Sequence, residues 1–196
     1  MSDLPVFRYH PDPIRSGSVV ASDELCRCCK KSRGYVYAGP VYSEEEDLDD
    51  KLCPWCIADG KAHRKFDATF IDSEAFADGI PQEAMDEIEQ RTPGYNAFQS
   101  EVWPACCGDA TEFLMPAGIA EVRKYDYTLE GLIMGHIVHK MGISGGAATQ
   151  LLDGLRKDSG PTVYLFRCPR CLTHHFHIDR PEFRYQLAFA WRECWC

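Results

Sequence analysis

Apolar residues along this chain repeat with two periods, and each change of period marks an element. A helical repeat follows Thr128, a residue type suited to an N-cap: Leu129, Leu132, Ile133, Ile137 and Met141 recur at helical spacing, and Gly142 ends the run. Ser144 then caps a second helix carrying Ala147, Ala148, Leu151, Leu152 and Leu155, closed by Gly160-Pro161. An earlier helix is predicted over 81–91. Pro81 suits its first turn, Glu83, Asp86 and Glu87 favour its positive end, and Ala84, Met85 and Ile88 form a narrow stripe before Thr92-Pro93-Gly94 stops it. Strands are predicted at 34–39, an aromatic and β-branched run between glycines, and at 162–167. Cys168-Pro-Arg-Cys171 turns the latter towards a returning strand at 174–178. Residues 1–22 read as an extended arm, because prolines at 5, 11 and 13 exclude a helix there. Residues 44–50 form an acidic loop, 57–60 a short helical turn, and 95–118 an irregular aromatic segment. A boundary is placed near residue 75, separating 1–75 from 76–196.

Composition narrows the class. The 196 residues are 45% apolar and 12% aromatic, enough for a true core rather than a disordered chain. The formal net charge of −9 opposes attraction to phosphate backbones and suits a basic protein partner or simple solubility. The first residues contain no basic stretch followed by a long apolar run, so no signal peptide is expected. No segment approaches the roughly 20 apolar residues of a membrane span.

Eleven cysteines say more than the charge does. Their number is odd, and several are separated by only two residues, a spacing that suits a metal better than a disulfide staple. In a reducing cytosol, the expected location, such thiols stay available for binding. Zinc takes four ligands in a tetrahedron, and a Cys-x-x-Cys turn aims two sulfurs at one ion. Cys26/Cys29 and Cys53/Cys56 supply all four, with 23 intervening residues able to hold a hairpin. This is the logic of a zinc ribbon or treble clef. A site closed by four cysteines stabilises rather than catalyses. Iron also fits such a set, with zinc the expected occupant. Cys28 either replaces Cys26 or Cys29 or stays an exposed thiol. The competing reading of Cys53-Pro-Trp-Cys56 as a redox pair lacks the βαβ context that chemistry uses.

Cys168 and Cys171 sit at the predicted hairpin tip, a zinc-knuckle position, and need two more ligands. Cys106 and Cys107 are the natural donors, together or with one of them replaced by His174, His175 or His177. Adjacent cysteines point in different directions, so their joint use is geometrically awkward. With three protein ligands and a water, this metal would activate the water, with Asp109 or Glu112 as base. No His-Glu-x-x-His motif supports that reading. Cys194 and Cys196 are either a tail or a late contribution to this site.

Other features weigh less. His136 falls near the apolar face of its helix and reads as a core histidine, with His139 a turn away. The helices joined by Gly142-Ile143-Ser144 have a helix-turn-helix outline, but the second offers only Gln150, Arg156 and Lys157 to a nucleic acid, so packing is the better account. Arg27, Lys30, Lys31 and Arg33 form a basic stripe around the first Cys pair and keep a nucleic-acid-binding reading alive. The run Glu44 to Asp50 is either a solvated loop or a docking surface for a basic protein.

The motifs together resemble the CbrC family of bacterial colicin-tolerance proteins. The resemblance lies in Phe7-x-Tyr9-His10-Pro11-Asp12-Pro13, Cys26-x-Cys28-Cys29, Gly34-Tyr35 and Gly39-Pro40-Val41-Tyr42. It continues through Leu52-Cys-Pro-Trp-Cys-Ile-Ala-Asp-Gly60, Lys65-Phe-Asp-Ala68, Arg91-Thr-Pro-Gly-Tyr95, Cys107-Gly-Asp109 and Tyr164-Leu-Phe-Arg-Cys168. It implies a cytosolic bacterial protein named for a phenotype, tolerance to a nuclease-type colicin, and it carries over no catalytic residue. The tail from Leu172 departs from the family pattern. The expected architecture is α+β: a zinc-ribbon or treble-clef-like module packed on a part with two helices and a β-hairpin zinc knuckle. The expected function is a non-catalytic, zinc-stabilised interaction or tolerance factor. A zinc enzyme and a nucleic-acid-binding zinc protein are the alternatives.

Overall fold

A computed structural model describes residues 4–179. The chain begins with an arm that contains a helix, α1 (Pro13–Ser16), where none was expected. Proline excludes itself from helix interiors but is favoured in the first turn, where no backbone donor is needed. The Asp12 carboxylate accepts the Arg15 N–H at 3.0 Å and starts the turn. The arm is tied down by buried His10, whose Nδ1–H donates to the Pro93 carbonyl at 2.6 Å while Nε2 lies 2.7 Å from Ser16 Oγ.

β1 (Val19–Ala21) and β2 (Tyr35–Tyr37) form a short antiparallel hairpin with Val19 opposite Tyr37. Leu52 bridges to Tyr37 and brings in α2 (Pro54–Ala58) and α3 (Lys61–Phe66). Only a glycine-closed turn was expected here. Gly60, at φ 69°, ends one helix and opens the next, so the stop signal concealed a continuation. α4 (Gln82–Arg91) follows with Pro81 as its N-cap. Beyond it, Gly94 passes so close to Phe70 that a Cβ would lie 1.7 Å from the Phe70 carbonyl oxygen, and only glycine fits.

The segment 95–118, predicted to be irregular, contains β3 (Ala105–Cys106), β4 (Asp109–Ala110) and β5 (Glu112–Ala117). In β5 the buried positions are Phe113, Met115 and Ala117, but a register shift between Phe113 and Met115 turns Phe113 into one core and Met115 and Ala117 into another, with Pro116 between the latter two. Proline is tolerated because β5 is an edge strand. It pairs with β6 (Thr162–Arg167), which pairs with β7 (His174–Asp179), giving an antiparallel sheet of order β5-β6-β7. The expected hairpin is thus part of a three-stranded sheet.

Between β5 and β6 lie α5 (Ile119–Tyr125), α6 (Tyr127–His139) and α7 (Gly145–Asp153). The cap of α6 is Asp126 rather than Thr128: its carboxylate accepts both the Thr128 N–H at 2.9 Å and the Thr128 hydroxyl at 2.7 Å. Leu129, Ile133 and Ile137 of α6 pack with Ala148, Leu152, Val163 and Leu165 in an aliphatic core. The other face of β6 carries Tyr164 and Phe166 into an aromatic core with Tyr9, Tyr95, Trp103 and Phe113. A third core surrounds Cys26, Cys53 and Cys56 and includes Leu48, Leu52, Ile57 and Phe70. No helix among the described residues is long and apolar enough to cross a membrane.

Candidate metal centres

The first Cys-x-x-Cys pair lies just before β2 and the second enters α2, with Cys53 as its N-cap. Backbone pairing brings the two turns together. The Arg27 N–H donates to the Lys51 carbonyl at 2.8 Å and the Cys53 N–H to Cys26 Sγ at 3.3 Å. The four sulfurs of Cys26, Cys29, Cys53 and Cys56 all lie within 4.8 Å of one another. Cys29 and Cys53 are 3.8 Å apart. A zinc tetrahedron with arms of about 2.3 Å has edges of about 3.8 Å, so this spacing fits zinc and is far too long for a disulfide. Hydrogen bonds from the Cys53 and Cys56 thiols hold the Cys26 thiol well below its usual range, and the bond to Cys26 pushes Cys53 up to about 12. Cys28 is outside the four, half-buried against the same core, with its thiol pushed up by burial.

The second group is assembled from more distant parts. Cys106 ends β3, and Cys107-Gly108 forms the tip of the β3–β4 hairpin with φ values of 53° and 68°. Two successive residues at positive φ define a mirror-image hairpin turn. That turn swings two adjacent cysteines to one side, the arrangement that seemed awkward from sequence. Cys168 and Cys171 approach from the β6–β7 turn, and the four sulfurs again lie within 4.8 Å. Cys106 is 3.8 Å from Cys107 and 3.6 Å from Cys171. The N–H groups of Arg170 and Cys171 point at Cys168 Sγ from 3.4 and 3.5 Å. Cys171 is exposed, and its contact with the Thr173 hydroxyl lowers its thiol to about 6.

The histidines offered as a fourth ligand lie elsewhere, because both Cys106 and Cys107 join the cluster. His174 is 3.9 Å from Asp126 and meets Tyr125 edge-on, while His177 is buried and stacks on Tyr164. Asp109 and Glu112 are engaged too. Asp109 accepts from Arg8 at 2.6 Å and from the Tyr9 hydroxyl at 2.9 Å, and Glu112 pairs with Arg167 at 2.8 Å. A base needs a carboxylate turned towards a water, and these two are turned towards cations and a phenol. His136 packs edge-on against Phe176 at 5.3 Å. Of the basic stripe, Arg27 is bound by Glu45 and Asp47, and Arg33 lies over the Trp55 ring. Cys194 and Cys196 lie outside the described residues. The sequence reading did not find Arg8, Tyr9, Arg170 and Thr173 as supports of the second group.

The fold and its clusters define an α+β protein with two four-cysteine groups compatible with zinc. The chain belongs to UPF0167, an uncharacterised protein family whose model matches residues 4–180. It is 41% identical over 177 residues to the UPF0167 protein Mb2317 of Mycobacterium bovis, covering 90% of this chain and 93% of that protein. It is 40% identical over 179 residues to the UPF0167 protein PA1536 of Pseudomonas aeruginosa, covering 90% and 97%. No solved structure matches the chain.

Proposed function

We propose that this protein is a non-catalytic interaction factor of the bacterial cytosol, stabilised by two zinc ions and related in role to the CbrC-type tolerance proteins. The observation that carries this reading is the completeness of both cysteine groups. Four protein sulfurs around one ion leave no coordination position for a water or substrate. The proposed partner is a basic protein, such as a nuclease-type toxin domain, docking on the acidic loop. Glu45 and Asp47 are engaged by Arg27, whereas Glu44, Glu46, Asp49 and Asp50 are exposed and form no ion pair among the described residues. Plasma mass spectrometry on protein purified without added metal tests the metal reading, with two zinc ions per chain expected. Pull-down of a basic toxin domain across a salt series tests the partner, and failure at every salt concentration removes it.

A second reading, nucleic-acid binding, draws on Lys30, Lys31, Arg64 and Lys65, which lie exposed around the first cysteine group and form no ion pair among the described residues. Fluorescence anisotropy with short oligonucleotides decides it, because binding through these side chains must weaken steeply with salt.

A further inference from the structure

The two cysteine groups differ in how they are enclosed. In the first, Cys26, Cys53 and Cys56 are 0%, 1% and 2% exposed and belong to an apolar core with Leu52, Ile57 and Phe70, and the half-buried Cys29 packs against that same core. In the second, Cys106 and Cys168 are buried, but no sulfur of the group belongs to any of the three cores. Cys171 is exposed and Cys107 half-exposed. Arg170 covers this side, donating to the Cys107 carbonyl at 3.1 Å from a side chain that is itself 60% exposed. An incoming chelator or competing thiol reaches Cys171 without any core opening, whereas the first group opens only when apolar packing is broken.

The second group also has something to hold. Its β3–β4 turn presents Asp109, whose carboxylate receives Arg8 and Tyr9 from the N-terminal arm and also approaches Arg170 at 3.5 Å. Next to it, the Phe113 N–H donates to the Tyr9 carbonyl at 2.8 Å. Cys107 holds a positive φ that a side chain resists, and two metal bonds at the turn, from Cys106 and Cys107, would keep that conformation populated. With the metal gone, the turn relaxes, the Asp109 carboxylate swings from its place, and the ends of Arg8 and Tyr9 lose their acceptor.

We propose that the second cysteine group is an exchangeable zinc site whose occupancy latches Arg8 and Tyr9 onto the β3–β5 region, making the docking of that part of the arm responsive to zinc supply. The proposal rests on the zinc reading above. Ligand exchange proceeds by attack of a competing thiolate or chelator at the exposed side, with Cys171 the first bond to break. The first group stays loaded and keeps its module folded.

The test uses the full chain. Zinc content is measured first, and excess EDTA is then added while metal release is followed over time. The expected result is two phases of one zinc each, the faster by at least about tenfold. Cys171→Ser should remove the fast phase and leave one zinc per chain. Hydrogen exchange after the fast phase should rise in residues 5–12 and 104–111 and stay unchanged in 48–70. Two zincs leaving together, a fast phase abolished by Cys53→Ser instead, or an arm indifferent to the fast phase would each overturn the latch and leave the zinc reading standing. Zinc-free protein at the outset would overturn both.

Discussion

The cysteine-rich region from β1 to α3 and the sheet-and-helix region from β5 to β7 are held together by different means. In the first, two three-residue strands and two helices of five and six residues surround the four sulfurs. Such short elements gather only a small core, and the four sulfurs at its centre are placed where a metal would cross-link them. In the second, two six-residue neighbours flank one central strand, and β6 buries aliphatic residues on one face and aromatics on the other. Its stability comes from area and close packing. If the first group is loaded as proposed, one region depends on its ion and the other on shape being kept.

Cys53→Ser should have the largest effect. Structural zinc contributes on the order of 10 kcal/mol to small metal domains, so loss of this ligand should abolish protection from hydrogen exchange across β1–α3 while the β5–β6–β7 amides stay protected. Collapse of both regions together would dissolve the distinction. Phe166→Ala removes a ring that meets Tyr95, Trp103 and Phe113, and should cost about 3–5 kcal/mol in chemical denaturation without changing the zinc content.

Glu101 sharpens the comparison because it ties the segment before β3 to Tyr42 of the cysteine-rich region. It is 7% exposed, and its Oε2 accepts the Tyr42 hydroxyl at 3.1 Å and the Asp72 N–H at 2.8 Å. Burial raises its carboxyl to about 7, against the lowering effect of those two bonds. The folded state then holds a proton that the unfolded chain has released. This contribution is full below about pH 4.5 and falls away as pH rises through about 7. Stability should drop by about 2–3 kcal/mol across that window. Glu101→Gln should flatten the part between about pH 4.5 and 7, measured by urea denaturation, and an unchanged slope would place the titration elsewhere. The smallest effect is expected from Asp126→Ala, which removes the cap of α6 and should cost about 1 kcal/mol in the same assay with both metals retained.

Legibility in the sequence followed the same division. β6 was readable from Thr162 to Arg167 because branched and aromatic residues fill it without a break. β5 was hidden, since leucine, methionine, proline and alanine carry little strand signal and only the partner strand decides their state. α3 was hidden behind Gly60, which looked like an end. The paired spacings pointed to Cys26, Cys29, Cys53 and Cys56, because a knuckle is local chemistry. The meeting of Cys106 and Cys107 with Cys168 and Cys171 depends on a hairpin turn whose backbone sign no side-chain pattern reports. The Asp109 ties to Arg8 and Tyr9 span about a hundred residues, and no local rule reaches that far.

That long span has a consequence for how the molecule is made. A chain emerging from the ribosome presents residues 7–10 first, yet their partners at Asp109 and Phe113 appear only after the whole cysteine-rich region has been synthesised. At roughly 5–20 residues per second, Tyr9 waits several seconds uncovered, whereas Phe7 finds its core partners within the cysteine-rich region. All four sulfurs of the first cysteine group are available during that wait, because Cys56 is the last of them, so on the zinc proposal it loads then. The order of synthesis thus favours loading the inner site first and closing the arm last, and the slow, non-local step of folding falls at the end.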